Sequence, residues 1–113
     1  MKNQTISELN QSRKELNALM NESDLFFNLF GALDDQVYAD GAIPKKYKEL
    51  TGLSISVLAR CEECIAYHLQ NCLNEGCSRA ELIDAIKMGV IGGGSITYPS
   101  VRFAYKLMKE LNI

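Results

Sequence analysis

The sequence has no long apolar run and no excess of basic residues, and each absence excludes a class of protein. No stretch approaches the roughly 20 consecutive apolar residues of a transmembrane helix, so no membrane-spanning segment is expected. Lysine and arginine total 12 against 14 aspartates and glutamates, and no basic patch stands out, which argues against a nucleic-acid partner. Residues 1–20 are polar and lack the apolar segment of a signal peptide, so we expect a cytoplasmic protein.

Strand signals are also scarce. The sequence has no Asn-Gly hairpin turn and no sustained alternation of apolar and polar residues. Hydrophobic residues nevertheless make up 47% of the 113 positions, enough for the core of one small domain, and they recur at helical spacings. The sequence therefore predicts a single all-α domain over residues 1–113, built from about six helices, the first of them within residues 1–22.

Capping residues predict where several helices begin. Thr5 and Ser78 are each followed three positions later by a glutamate, which is the pattern of a capping box. Ser23 is predicted to cap a second helix over residues 24–39, after a first helix that ends near Met20. The helix that begins at Ser78 is predicted to end near Val90, before a run of three glycines.

The boundary between the third and fourth helices stays open at this point. The third helix follows Pro44, and its apolar stripe continues in phase through positions 54, 57, 58, 61, 64, 65 and 68. No glycine or proline interrupts that stripe. Periodicity alone would therefore allow one helix of about thirty residues, which is long for a globular protein.

The second predicted helix is apolar over more than one stripe. Its apolar residues include Phe26, Phe27, Leu29, Phe30, Leu33 and Val37. A helix that is apolar over so wide an arc is buried on two sides, either in its own core or against another subunit. Because a chain of this size has little core to offer, we expect a homo-oligomer.

Residues 61–68 read CEECIAYH, which combines two cysteines three positions apart with the only histidine of the chain. The stretch could be a metal site, a redox pair, or a set of ordinary core residues. Cys61, Cys64 and His68 share one apolar helix face, and free cysteine is a commonly buried residue type. For Cys72 and Cys77, the remaining cysteines, burial in the core is the simplest interpretation.

A metal site meets a geometric problem. With a rise of about 1.5 Å per residue, Cys61 and Cys72 would lie roughly 16 Å apart along a helix. They could not both bind one tetrahedral ion. Cys64 and His68 could chelate as a pair, but Cys77 is the only other cysteine that could complete the set. We therefore predict no metal and no cofactor.

A redox pair fits the spacing better. Residues three apart on a helix have Cα atoms about 5–6 Å apart, within the range of a disulfide. His68 lies one turn beyond Cys64 and could act as its base or stabilise its thiolate. Glu49 lies at the edge of the apolar stripe of the third helix, where a carboxylate could orient that base. From the residues alone, a solvated surface position is the simpler interpretation for Glu49.

The spacing of Glu49, Cys61, Cys64 and His68 resembles the signature of AhpD-like alkylhydroperoxidases, which belong to the carboxymuconolactone decarboxylase superfamily. The flanking stretches DGAIPKKYKEL and EGCSRAELIDAI resemble that family as well, and the resemblance covers roughly residues 25–111. It implies an all-helical fold, assembly into trimers or hexamers, and a helix break just before Cys61.

The resemblance also implies an antioxidant function, that of a thiol-dependent peroxidase. Cys64 would attack a hydroperoxide and become a sulfenic acid, which Cys61 would resolve into a disulfide. His68 and Glu49 would form a proton relay, and a dihydrolipoyl-protein or another thiol would reduce the disulfide. Some family members carry a histidine where this chain has Glu63, and a carboxylate there is expected to raise the pKa of Cys64.

Three other functions stay open. A general thiol-disulfide oxidoreductase would use the same cysteine pair on a different substrate. A carboxymuconolactone decarboxylase would not require the pair, so the cysteines argue against that chemistry. A helical oligomer that binds a metal or a partner would have no turnover at all.

Overall fold

The computed structural model describes residues 5–113, and within that range it contains α-helices, one short 3₁₀ helix and no strand. The six α-helices are α1 (Ile6–Ser23), α2 (Leu25–Tyr38), α3 (Lys45–Ala59), α4 (Glu62–Asn74), α5 (Arg79–Gly93) and α6 (Tyr98–Glu110). The 3₁₀ helix, Ser95–Thr97, joins α5 to α6. The predicted all-α fold of about six helices is confirmed. None of the helices in residues 5–113 has the length and apolar character needed to cross a membrane.

Helix α3 lies at the centre of the fold, packed on α4 and α5. The core contains fully buried side chains from α3, α4, α5 and α6, namely Leu53, Val57, Ile65, Leu69, Leu82, Leu107 and Met108. Helix α1 packs on α4 and buries only Ile6, whereas α2 packs on α1 and α3 and buries no residue. The core therefore fixes α3 and α4 relative to each other, whereas α1 contributes only Ile6 to its buried residues and α2 contributes none.

The break between α3 and α4 lies at Arg60, just before Cys61, where the family resemblance places it. Arg60 adopts the left-handed conformation, with φ of 59°, that glycine usually takes at a helix end. The Arg60 N–H donates to the carbonyl of Val57 and the Cys61 N–H to that of Ser56, at 3.1 and 3.0 Å. These two bonds form a Schellman motif without glycine. Periodicity could not decide this boundary because no residue type marks it.

The predicted cap of α2 is wrong by one residue. Ser23 is the last residue of α1, and its hydroxyl donates to the carbonyl of Met20 at 2.7 Å. Asp24 is the cap instead, because its carboxylate accepts the N–H of Phe26 at 2.8 Å while its own N–H donates to Met20. One extended residue therefore ends α1 and begins α2, which leaves no linker between them.

The capping box predicted at Ser78 is confirmed, the one predicted at Thr5 has only one of its two bonds, and the predicted end of α5 is too early. Ser78 and Glu81 make both reciprocal bonds of a capping box, and the Thr5 hydroxyl accepts the N–H of Glu8 at 3.2 Å. Helix α5 continues past Val90 to Gly93, since a helix tolerates exposed glycines near its end. It stops at Gly94, whose φ of 81° ends the helical conformation.

Helices α3 and α5 lie close together at Gly89. A Cβ atom at this position would lie 2.6 Å from the carbonyl oxygen of Ser54 and 2.8 Å from the Cβ of Val57. Because a backbone oxygen and a fully buried valine have little room to move, we expect Gly89→Ala to lower the free energy of unfolding by about 1–3 kcal/mol. Chemical denaturation followed by circular dichroism measures this change.

Gly92→Ala is the matched control on the same helix. A Cβ atom there would meet only the Cδ1 of Leu58, at an ordinary contact distance of 3.6 Å. We expect this variant to be as stable as the parent or slightly more stable, because alanine favours the helix. Equal destabilisation by the two substitutions would contradict the close packing of α3 on α5.

Candidate active site

The two cysteines of the CxxC stretch are joined at the start of α4. Cys61 and Cys64 form a disulfide with their Cα atoms 5.2 Å apart. Cys61 is the N-cap of the helix, and its Sγ accepts the N–H of Cys64 at 3.2 Å. Cys64 is exposed, whereas Cys61 is half-buried. Unpaired N–H groups and the helix dipole favour negative charge at this end of a helix, so the site suits a thiolate.

His68 lies one turn further along α4 and contacts a carboxylate of α3. Its Nδ1 is 2.8 Å from Oε1 of Glu49, a side chain that is only 1% exposed. A carboxylate on Nδ1 fixes the ring orientation and favours the tautomer in which Nε2 is free to accept a proton. The pair therefore has the arrangement of a general base and the group that orients it.

Two further side chains hold Glu49. Lys45 lies one turn earlier on α3, and its Nζ donates to Oε2 of Glu49 at 3.0 Å. Asn71 of α4 donates from Nδ2 to Oε1 at 3.3 Å. Burial by itself raises the pKa of the Glu49 carboxyl, but the hydrogen bonds from His68 and Lys45 outweigh it, and the pKa lies below its ordinary value of 4.5. Glu49 is therefore a buried carboxylate that stays ionised at neutral pH.

Aromatic rings enclose the imidazole. Tyr38 of α2 stacks on His68 with ring centroids 5.1 Å apart, and Tyr67 meets it edge-on at 4.9 Å. Gly52 of α3 provides the space, because a Cβ atom there would lie 2.6 Å from the imidazole Nδ1 and 2.8 Å from the Tyr38 hydroxyl. The imidazole is thus confined by packing as well as by its bond to Glu49.

Cys64 and His68 both line one cleft between α1, α2 and α4, with a volume of about 470 Å³. Helix α4 also contributes Glu63 and Tyr67. The walls come from α1 and α2 and include Arg13, Asn17, Met20, Phe27, Phe30 and Asp34. A cleft of this size with apolar walls and a few polar groups is typical of a small-molecule site.

The structure brings all four predicted site residues together. Glu49 contacts His68, His68 shares the cleft with Cys64, and Cys64 is bonded to Cys61. The roles assigned to them remain predictions. The solvated surface position that the residues alone favoured for Glu49 is wrong, because its contacts with α4 bury it.

Sequence reasoning missed Lys45, Asn71, Tyr38 and Gly52. Lys45 is four positions before Glu49 and Asn71 three after His68, so helical spacing could have indicated both. Tyr38 and Gly52 reach the histidine from other helices, and no pattern in the sequence marks that approach.

Cys72 and Cys77 lie away from the cleft, at the C-terminal end of α4. Cys72 is fully buried and Cys77 is 8% exposed, so the prediction that both are core residues is confirmed. Their backbones form a second Schellman motif, in which the N–H of Cys77 donates to the carbonyl of Cys72 at 3.0 Å. Burial raises the pKa of both thiols, which makes them poor nucleophiles. Within residues 5–113, no three histidine, cysteine, aspartate or glutamate side chains converge as metal ligands would.

Comparison with known proteins agrees with this fold. The model of the carboxymuconolactone decarboxylase family matches residues 24–110. A Thermotoga maritima protein of that family, for which a role in the antioxidative response has been suggested, is 38% identical, with a TM-score of 0.86 over 92% of this chain and 89% of that one. A Legionella pneumophila family member, solved in its apo form, is 26% identical, with a TM-score of 0.82 over 93% and 95% of the two chains.

An uncharacterised protein of the cox locus in Paracoccus denitrificans is 26% identical over 83 residues, which cover 74% of this chain and 75% of that protein. Residues 24–110, which the family model matches, contain both the Glu49–His68 pair and the Cys61–Cys64 pair. The chain belongs to the carboxymuconolactone decarboxylase family.

The depressed pKa of Glu49 predicts a pH-dependent contribution to stability. A carboxyl whose pKa is lowered on folding stabilises the fold above its ordinary value of 4.5, and this stabilisation is lost as the pH falls through the folded-state pKa. We expect Glu49→Gln to lower the free energy of unfolding at neutral pH by about 1–3 kcal/mol, because charge-assisted bonds to His68 and Lys45 are weakened. The difference from the parent should shrink below pH 4.5.

Urea denaturation at neutral and acidic pH measures both quantities. Glu110→Gln is the control, because Glu110 is exposed at the end of α6 and should show little difference at either pH. A deficit of Glu49→Gln that stays constant on acidification would contradict the ionised state of this carboxylate in the fold.

Proposed function

We propose that this protein is a thiol-dependent peroxidase that reduces organic hydroperoxides through a dithiol/disulfide cycle of Cys61 and Cys64. One observation carries the proposal: a cysteine pair at a helix N-terminus shares a cleft with a histidine that a buried carboxylate holds by Nδ1. The antioxidative role suggested for the Thermotoga maritima relative supports the same chemistry.

Each step of the cycle has a residue to perform it. His68 accepts the proton of the Cys64 thiol, and the thiolate attacks the terminal oxygen of the hydroperoxide. The O–O bond breaks, the alcohol leaves with a proton from His68, and Cys64 becomes a sulfenic acid. The Cys61 thiol then attacks that sulfur, forms the disulfide and releases water. A dithiol such as a dihydrolipoyl-protein returns the pair to the reduced state by thiol–disulfide exchange.

The position of the two sulfurs supports the assignment of roles. Cys64 is exposed and lines the cleft, so a substrate in the cleft can reach it. Cys61 is half-buried as the N-cap and lies within bonding distance of Cys64. Cys64 is therefore suited to attack the peroxide, and Cys61 to resolve the product. A cytoplasmic location, as expected from the sequence, would keep the pair supplied with reductant.

A single-turnover experiment tests the proposal. One equivalent of an organic hydroperoxide is added to reduced protein, and the cysteine peptides are followed by mass over time. We expect a Cys61–Cys64 disulfide to form before Cys72 or Cys77 is modified, because burial raises the pKa of the latter two thiols. Oxidation spread evenly over the cysteines would contradict a dedicated redox pair.

Substitution of each cysteine separates the two roles. Cys64→Ser should abolish peroxide consumption, whereas Cys61→Ser should consume one equivalent and stop at a sulfenic acid on Cys64 that a dimedone probe captures. Serine at position 61 keeps an acceptor for the N–H of Cys64, so the start of α4 should be preserved. If the two variants exchange behaviour, the roles of Cys61 and Cys64 are reversed.

The same geometry supports a second candidate, a general thiol-disulfide oxidoreductase. The exposure of Cys64 favours it, since a protein disulfide can approach that sulfur from solvent. In the experiment above, this function would give slow oxidation by hydroperoxide but rapid reduction of a disulfide substrate by the reduced protein. A decarboxylase of a lactone acid would instead release carbon dioxide at a rate unaffected by Cys64→Ser.

We further propose that the chain assembles as a homo-oligomer, a trimer or a hexamer, through α2. The outer side chains of this helix are 56–67% exposed and apolar: Leu25, Phe26, Leu29, Phe30, Leu33 and Val37. Contiguous apolar surface of this kind commonly marks an interface. A second copy of the chain would cover it, with the same surface where a two-fold axis relates the copies, as in a hexamer built from dimers, and with a different surface in a trimer.

Light scattering coupled to size-exclusion chromatography measures the assembly. We expect a mass three or six times the 12.6 kDa of one chain. We expect Leu29→Glu to shift the protein to the monomer, because it places a charge at the centre of the apolar face. Ala18→Glu, an exposed position on α1, is the control and should leave the mass unchanged. A parent protein that runs as a monomer would contradict assembly through α2.

A further inference from the structure

Helix α1 brings one cation into the cleft, although the family match begins only at residue 24. Arg13 is half-buried, and its Cζ lies 4.4 Å from the centroid of the Tyr67 ring. Its Nη1 donates to Oδ1 of Asn10 at 2.5 Å. The stacking and the hydrogen bond fix the guanidinium at the cleft wall, on the same side of α4 as Cys64.

The other charged groups around this cleft are mostly acidic. Glu63 precedes Cys64 on α4, and Asp34 reaches the cleft from α2, while Tyr67 and His68 complete the titratable groups of the lining. A carboxylate next to a thiol disfavours the thiolate by repulsion. Without a compensating cation, Cys64 would therefore face two negative charges and be less reactive.

We propose that Arg13 supplies the positive charge that keeps Cys64 reactive beside Glu63, so that α1 is part of the active site. The inference rests on the proposed function, in which Cys64 is the attacking thiol. The hydrogen bond of the Arg13 guanidinium goes to Asn10 and not to the sulfur of Cys64. Its positive charge therefore acts on a Cys64 thiolate through the electrostatic field in the cleft. The attraction between its guanidinium and Glu63 is visible in the pKa of Arg13, which burial lowers while the charges of Tyr67 and Glu63 act to raise it.

The arrangement also explains how the site functions with a glutamate at position 63. Arg13, Glu63 and Cys64 all line the one cleft, so the positive charge of the guanidinium acts on a Cys64 thiolate in the opposite sense to the negative charge of Glu63. Because arginine stays charged at all working pH values, the compensation does not vary with pH as that of a histidine would.

The test measures the nucleophilicity of Cys64 without peroxide. In the Cys61→Ser background, the rate of alkylation of Cys64 by iodoacetamide is followed against pH, with the peptide identified by mass. We expect Arg13→Gln to reduce this rate about threefold at pH values below the pKa of Cys64. Removal of the positive charge lowers the fraction of Cys64 that is thiolate, and the alkylation rate falls in proportion to that fraction. Glu63→Gln should increase the rate by a similar factor, and Arg13→Lys should keep most of it.

Two controls separate charge from structure. Lys14→Gln removes the same charge from an exposed position on α1 and should leave the alkylation profile unchanged. The double variant Arg13→Gln with Glu63→Gln should return towards the parent rate, because both charges are absent. A double variant as slow as Arg13→Gln alone would show a structural effect and overturn the proposal.

An alkylation profile of Arg13→Gln that is identical to that of Lys14→Gln would also overturn the proposed role of Arg13. Alkylation requires no hydroperoxide and no reductant, so this result does not depend on whether the protein is a peroxidase. Conversely, a protein that shows these shifts but does not turn over peroxide would retain the role of Arg13 and lose the proposed function.

Discussion

The hydrogen bond between Glu49 and His68 is the contact on which the site depends. It joins α3 to α4 across their interface, and it involves a charged side chain that is almost fully buried. Such a buried carboxylate is tolerated only because every oxygen has a partner, and Lys45 and Asn71 provide the remaining ones. The core and the site therefore depend on the same packing, because the contacts that bury Glu49 also orient His68 towards the cleft.

The fold around this contact is organised in two shells. Helices α3 to α6 form the core, with α3 at its centre, and they determine the positions of Glu49, His68 and the cysteine pair. Helices α1 and α2 add little to the core but form two walls of the cleft. The positions of the four site residues are thus set by the core helices, and two walls of the cleft are set by the peripheral helices α1 and α2.

The sequence predicts the helices well where side chains carry the signal, as in the capping box of Ser78. The predicted apolar stripe of α3 and α4 is only partly buried, because Val57 and Ile65 lie in the core whereas Leu58 and Cys64 are exposed. It could not predict the break at Arg60, because a left-handed residue other than glycine leaves no mark on composition. The four site residues were found through their spacing and the family resemblance. Tyr38 and Gly52 were not, because their approach to His68 depends on packing between helices that are distant in sequence.

The backbone around Cys61 suits both the reduced and the oxidised state of the cysteine pair. Cys61 ends one helix motif and caps the next, and the spacing of its Cα from that of Cys64, 5.2 Å, is what a regular helical turn provides. In the proposed cycle, dithiol and disulfide would therefore share one main-chain conformation. The change between the two states would then need rotation of two side chains and no movement of the helix start.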